Sequence, residues 1–287
     1  MDNKCCDLHT HTIASDGSDT PTDLVKKAAF AQLSAVAITD HDTVEGVEEG
    51  LEAANDFPIE VLPGIEFSVI APKGNMHVLG YLIDTQNPDL LKVIKKVQNA
   101  RAERNPKILK KLDEQGIHIS EMELKEMAQG GQIGRPHIAR ALVNHGYVKS
   151  VSDAFEKYLK KGAAAYVPKS ILIPQDAFEV IHKAGGVAVL AHPISLKFTS
   201  PSELDGFISQ WIEQGLDGIE CYYSEHSDEI TKICLALAEK YDLVATGGSD
   251  YHGKAKPYIK LGVGKGNLRV PEKCVQELKK RKAQLFG

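Results

Sequence analysis

Segments rich in aliphatic and β-branched residues alternate along this chain with amphipathic stretches of helical period, and that alternation narrows the fold to strands wrapped by helices. "TPTDLVKKAAFAQL" reads as a helix with Thr20 as N-cap and Pro21 in its first position, and "SAVAITD" follows as a strand ending in polar residues. "GVEEGLEAAND" is helical again, and "IEVLPGIEFSV" and "MHVLGYLID" are strand-like. Farther on, "PQDAFEVIHKAGG" leads into "VAVLAHP", "ELDGFISQWIEQG" into "LDGIECYY", and "SDEITKICLALAEKYD" into "LVATGGSDYH". The pattern predicts an α/β fold with a mainly parallel sheet or barrel. From about Asp89 to Ala165 the alternation lapses into helical segments without a convincing strand. The expected organisation is a main domain made of residues 1–88 and 166–287, interrupted by a helical insertion domain at 89–165 whose charged faces are by default solvated.

Polar residues gather where the expected strands end. In "DLHTHTIASDG", His9 and His11 would point to the same side of a strand, an arrangement that alone suits a surface pair as readily as a metal site. Recurrence changes the weighting: Asp16 follows in the same stretch, then His41 in "ITDHDT", Glu66 in "PGIEFS", His77 in "MHVLGY", His192 in "LAHP", and Asp250 and His252 in "GGSDYH". In a parallel barrel the carboxyl ends of the strands share one face, so these positions converge. Six of the eleven histidines fall there; His118, His137, His145, His182 and His226 do not, and most of those read as ordinary helix or loop histidines. Mixed imidazole and carboxylate donors suit zinc, manganese or iron, with magnesium also admissible. Nine candidate ligands are too many for one ion, and about three protein ligands per catalytic metal points to two or three divalent ions, with Glu66 able to bridge. The competing reading is a set of independent capped turns and satisfied polar contacts.

"DLHTHTIASDG", "ITDHDT", "LAHP" and "GGSDYH", with "GIEFS" and "HVLGY" between the second and third, resemble the polymerase and histidinol phosphatase (PHP) family. The resemblance implies a distorted (β/α)7 barrel with a trinuclear metal site. Carried onto matching positions, it gives one metal to His9, His11, Glu66 and Asp250, a second to Glu66, His77 and His192, and a third to Asp16, His41 and His252. "IGRPHIARAL" after "HVLGY" looks more like the subgroup that hydrolyses nucleotide phosphates, including the 3′-phosphate of nucleoside 3′,5′-bisphosphates, with related 5′-to-3′ action on short RNA. The implied chemistry is attack by a metal-activated hydroxide on a phosphate ester. Asp42, beside His41, and His137 are candidates for protonating the leaving oxygen, as is a water on the metal, and Asp42 could equally orient its neighbour. Arg135, expected at a helix N-terminus opened by Pro136, is a candidate phosphate ligand, and His137 could contact the same group. The alternatives are a phosphatase for histidinol phosphate or another small phosphomonoester, and a non-catalytic metal-binding regulatory protein of the same fold.

A formal charge of −5 argues against a broad nucleic-acid-binding surface, while a local basic pocket remains compatible with it. The expected partner is a small phosphorylated substrate. No apolar run reaches the length of a membrane span, and the polar opening "MDNKCCDLHTH" lacks a signal peptide's apolar core, so a cytoplasmic location and no membrane partner are expected. The five cysteines lack C-x-x-C spacing and are expected to pack as small hydrophobes. Neither a P-loop nor a dinucleotide fingerprint is present.

Overall fold

The computed structural model describes residues 4–128, 131–168 and 172–287. β1 (Cys5–Asp7), α1 (Pro21–Phe30), β2 (Ala35–Ile38), α2 (Val47–Ala53), β3 (Glu60–Val69) and β4 (Met76–Tyr81) come first. The helices α3 (Pro88–Asp113), α4 (Glu121–Met127), α5 (Arg135–Asn144) and α6 (Val151–Ala154) follow. The chain returns to alternation with α7 (Pro174–Lys183), β5 (Val187–Leu190), α8 (Pro201–Ile212), β6 (Gly218–Tyr223), α9 (Asp228–Lys240), β7 (Val244–Gly248), β8 (Val270–Pro271) and α10 (Lys273–Phe286). Local chemistry explains several starts. The Thr20 hydroxyl accepts from Asp23 N at 3.0 Å ahead of Pro21, and Asn87 accepts from Asp89 N and Leu90 N, both at 3.1 Å, ahead of Pro88. α3 runs for 26 residues, about 39 Å, and continues through Pro106, which forfeits one rung of the helical ladder.

The sheet order is β7-β6-β5-β4-β3-β2-β1-β8. β1, β2 and β3 pair in parallel, as do β5, β6 and β7, but β4 runs against both β3 and β5. The reversal departs from a uniformly parallel arrangement for a simple reason: only Ile70–Asn75 join β3 to β4, and a parallel return needs about a dozen residues. The first seven strands curl round until Leu8 N donates to Gly247 O at 3.1 Å and Asp250 N to His9 O at 2.8 Å. A Cβ on Gly248 would meet His9 Cβ at 2.3 Å, so glycine is what lets β7 close on β1. The two-residue β8 adds an antiparallel edge beside β1, beyond the expected seven.

Alternate strand residues, among them Cys6, Leu8, Leu79, Tyr81, Val187 and Val189, form one apolar cluster with Cys274, Val275 and Leu278 of α10. Because Val187 and Val244 begin their strands and Tyr81 ends the reversed one, α10 plugs the end of the barrel opposite the carboxyl ends of the parallel strands. Helices α7, α8 and α9 pack outside through Phe178, Ile181, Ile208, Trp211 and Leu237. α3 joins two cores: Leu90, Ile94 and Val97 belong to this outer layer, whereas Ile108 and Leu112 belong to a separate cluster with Leu124, Ile138, Leu142 and Leu159. Cys6, Cys221, Cys234 and Cys274 are buried free thiols, which fits the packing role read from the sequence. Among the described residues no helix is long and apolar enough to cross a membrane.

Candidate active site

Extension of strand pairing beyond the regular ladders delivers the polar residues to the open end of the barrel. Glu66 N donates to Asp40 O at 3.2 Å and Asp42 N to Glu66 O at 3.0 Å, which sets His41 beside Glu66. Ser68 pairs with His77 across β3 and β4, and Ala191 N donates to His77 O at 3.1 Å, bringing His192 to the same corner. Asp42, His192 and Asp250 all have positive φ, at 52°, 25° and 58°, an uncommon state for such residues that concentrates at functional sites.

The structure brings all nine candidate ligands together. Buried Glu66 is the hub: Oε1 lies 2.8 Å from His77 Nδ1 and 3.0 Å from His192 Nε2, while Oε2 lies 2.8 Å from His41 Nδ1, 3.3 Å from His11 Nε2 and 3.4 Å from His9 Nε2. Asp250 Oδ1 is 3.3 Å from His11 Nε2 and 3.7 Å from His9 Nε2. On the far side, His252 Nε2 stands 3.2 Å from Asp16 Oδ1, and His11, Asp16, His41 and His252 form a compact donor group of their own. His9 Nε2, His11 Nε2, His41 Nδ1 and Glu66 Oε2 are buried without a hydrogen-bond partner. Orphaned donor atoms of this kind, converging from imidazole and carboxylate, are what divalent ions would satisfy.

Burial alone would raise the Glu66 carboxyl, but the rings of His41, His77 and His9 outweigh it and hold it well below the usual range. Burial pushes His11 and His77 down to about 3, so both rings stay neutral at pH 7, the form that ligates metal. His9 moves the other way, well above its ordinary value: Glu220 and Glu66 outweigh its burial.

A second layer of side chains, which the sequence reading passed over, fixes these ligands. Glu220 is fully buried, with Oε1 3.0 Å from His9 Nδ1 and Oε2 accepting from His192 N at 2.7 Å. Tyr223 OH and Lys256 Nζ donate to Asp250 Oδ2 at 3.0 and 2.8 Å, leaving Oδ1 to the histidines. Asp40 accepts from Thr12 N at 2.8 Å and Ser15 Oγ at 2.5 Å, and Asp7 accepts from Ser249 N at 2.8 Å and Gly262 N at 2.7 Å. An acid inside an otherwise apolar strand, as in "GIECYY", was a readable signal, since a buried carboxylate requires a partner.

Beside the ligands lies a cavity of about 180 Å³, walled by Asp16, His41 and His77 on one side and by Arg101, Arg104 and Arg135 on the other. Gly131 allows the loop before α5 to settle onto the barrel, since a Cβ there would meet Ile13 O at 2.1 Å. Arg135 donates to Leu159 O at 3.1 Å and lies over the Phe155 ring. Arg101 and Arg104, a turn apart on α3, were not distinguishable in sequence from solvated helix arginines. Arg104 is buried, with Nε and Nη2 unpartnered. Burial and then the charges of Arg101 and Arg135 lower its pKa, a crowding that a bound anion relieves.

Asp42 and His137 have surroundings that bear on the proton-transfer role. The buried Asp42 carboxylate accepts from Ser68 N at 2.9 Å and pairs with Arg101. His137 Nδ1 accepts from Gly134 N at 3.0 Å, closing the first turn of α5, and burial lowers the ring to about 4. The other histidines lie outside the cluster: His118 meets Asp113, His145 meets Glu123, His182 meets Asp217 and His226 meets Cys221 O.

The PHP domain model matches residues 7–170. A 5′-3′ exoribonuclease, Rnm, of Escherichia coli is 34% identical over 258 residues, 89% of this chain and 87% of that protein. A 3′,5′-nucleoside bisphosphate phosphatase of Chromobacterium violaceum is 34% identical over 248 residues, 86% of each. A solved structure from Bifidobacterium adolescentis, provisionally assigned as a metal-dependent phosphoesterase, superposes with a TM-score of 0.86 at 31% identity, covering 97% of this chain and 96% of the other.

Proposed function

The chain belongs to the PHP domain family, and on that premise we propose that it is a metal-dependent phosphoesterase acting on phosphate esters of nucleotides, with short RNA in the same class. The observation that carries this reading is the adjacency of orphaned ligand atoms around Glu66 to a cavity lined by three arginines. We take residues 89–165 as a helical insertion that contributes this arginine wall, with 1–88 and 166–287 as the barrel. Four buried free thiols suit a reducing compartment, and we place the enzyme in the cytoplasm.

By the PHP resemblance, His9, His11, Glu66 and Asp250 would hold one divalent ion, Glu66, His77 and His192 a second, and Asp16, His41 and His252 a third. The donor atoms converge in overlapping groups, His9 with His11 and Asp250, His9 with Glu66 and His192, His41 with Glu66 and His77, and His11 with Asp16, His41 and His252, and the set suits zinc, manganese or iron. Such ions, when bound, neutralise phosphoryl oxygens and bring the pKa of a water towards neutrality. The protein's own groups do the rest. Arg104 and Arg135 grip phosphate oxygens with planar forks of donors, and Arg101 is held in the cavity wall by Asp42 and by Ser68 Oγ at 3.0 Å. Asp42 is therefore assigned to positioning rather than to proton donation. His137, neutral and buried, is assigned to holding the α5 entry that carries Arg135. Glu220 fixes the His9 ring, and Tyr223 and Lys256 fix Asp250.

The test is a hydrolysis comparison with added manganese and with metal content measured on the same preparation. Adenosine 3′,5′-bisphosphate should show a higher kcat/KM than histidinol phosphate, because its second phosphate supplies binding energy away from the reacting centre. A preference for histidinol phosphate rejects the nucleotide assignment. Metal-replete protein that cleaves no phosphate ester rejects the enzymatic one.

A further inference from the structure

We propose that the exposed face of α3 is a track for the body of a single-stranded polynucleotide whose reacting end occupies the arginine cavity. The proposal rests on the phosphoesterase reading and deepens it by giving the oligonucleotide substrates of that class a binding surface outside the cavity. Lys92, Lys95, Lys96 and Lys107 are exposed and, with Glu103 and Arg104, line a groove of about 580 Å³ along the helix. Lys95 and Lys96 stand three and four residues after Lys92, and Lys107 follows Lys96 by eleven residues, about three turns, so all four share one side of α3. Five cationic side chains against one acidic one is a strong local excess on a chain whose formal charge is −5. Several lysines on other helices do have acidic partners, as Lys125 with Glu121, Lys157 with Asp153 and Lys183 with Glu179. Among the described residues the four groove lysines have none.

A row of unneutralised cations is complemented by a polyanion, which releases its counterions on binding. The groove also has a direction. Arg104 lines both it and the cavity beside the metal ligands, and its buried guanidinium has two nitrogens without partners. From Arg104 to Lys92 is twelve residues of helix, about 18 Å, room for several nucleotides. The groove is lined by no aromatic ring among the described residues, so the contact is to phosphates rather than to bases. Binding along it is therefore independent of sequence and strongly dependent on salt.

The experiment compares the parent with a Lys92→Glu, Lys95→Glu, Lys96→Glu variant, checked for an unchanged thermal melt. One arm measures fluorescence anisotropy of a dye-labelled, fully phosphorothioate ten-nucleotide RNA on the manganese-loaded enzyme across a salt series; the other measures kcat/KM for the unmodified ten-mer and for adenosine 3′,5′-bisphosphate. The variant should bind the ten-mer at least tenfold more weakly and lower its kcat/KM to match, with the slope of log affinity against log salt reduced by about 2, the value for three lost single-strand contacts. Its kcat/KM for the bisphosphate should be unchanged. Equal binding of the ten-mer by parent and variant overturns the track, as does an equal loss on both substrates. A parent that binds the ten-mer through these lysines yet hydrolyses nothing keeps the track and rejects the phosphoesterase reading. If the triple variant melts early, Lys92→Gln with Lys95→Gln replaces it under the same criteria, with a proportionally smaller loss.

Discussion

Replacing Glu66 with glutamine keeps the side chain's size and one oxygen donor while removing the negative charge that five imidazoles surround. Both oxygens have histidine nitrogens within 2.8 to 3.4 Å, so Glu66 is placed to serve two cations at once. A unit charge pair at about 4 Å is worth roughly 4 kcal/mol at an effective dielectric near 20, and the interaction with a dication is larger still. The retained amide oxygen offsets part of that loss. A remaining deficit of about 2.7 kcal/mol corresponds to a hundredfold, which sets the minimum expected fall in turnover. Bound metal, measured by elemental analysis after gel filtration, should fall alongside it, while far-ultraviolet circular dichroism stays that of the parent. Glu66→Asp, which keeps the charge but shortens the reach, should recover part of both. A Glu66→Gln protein with full metal content and parental turnover refutes the bridging argument.

Arg135→Ala should leave metal content unchanged and lower kcat/KM for nucleotide substrates by roughly ten- to a thousandfold, with Arg135→Lys recovering only part; parental kinetics in the alanine variant would remove Arg135 from phosphate binding. His137→Gln tests the helix-closing role through pH. The folded ring titrates at about 4 and an unfolded one near 6.5, so the unfolded chain binds the extra proton between those values and the parent loses stability as pH falls through that window. At pH 5 that loss amounts to about 2 kcal/mol for one histidine, and chemical denaturation at pH 7 and pH 5 should show a loss larger by that amount in the parent than in the variant, since buried His11 and His77 contribute to both; parallel pH dependences would show that His137 is not buried neutral.

The proposed ligands were legible as a polar cluster because most of them follow strands in short polar bursts; Glu66 instead lies inside β3 and His77 at the start of β4, whose reversal brings it to the same face. The direction of β4 was legible in principle, in the brevity of Ile70–Asn75, but strand propensity is blind to direction and only the connection length carries it. Arg101 and Arg104 could not be singled out. In an amphipathic helix an arginine that faces another part of the fold and one that faces water obey the same periodicity, and only contacts made in the folded chain, such as those of Arg101 with Asp42 and Ser68, separate them. Glu220 lies between these cases: its strand context marks it as buried, but nothing local names His9 as its partner.

The closure of β1 on β7 has a consequence for how the protein is made. Leu8 must reach Gly247, Cys5 must reach Pro271, and the carboxylate of Asp7 must meet Ser249 and Gly262 before the barrel is shut. Contacts of such sequence separation carry a large loop-closure cost, which slows folding. On the ribosome the first strand therefore waits, unpaired on that side, until residue 271 has emerged, roughly 15 to 50 s after residue 5 at ordinary elongation rates. For nearly all of that interval His9 and His11 lack Asp250, so assembly of the complete polar cluster is a late event of synthesis.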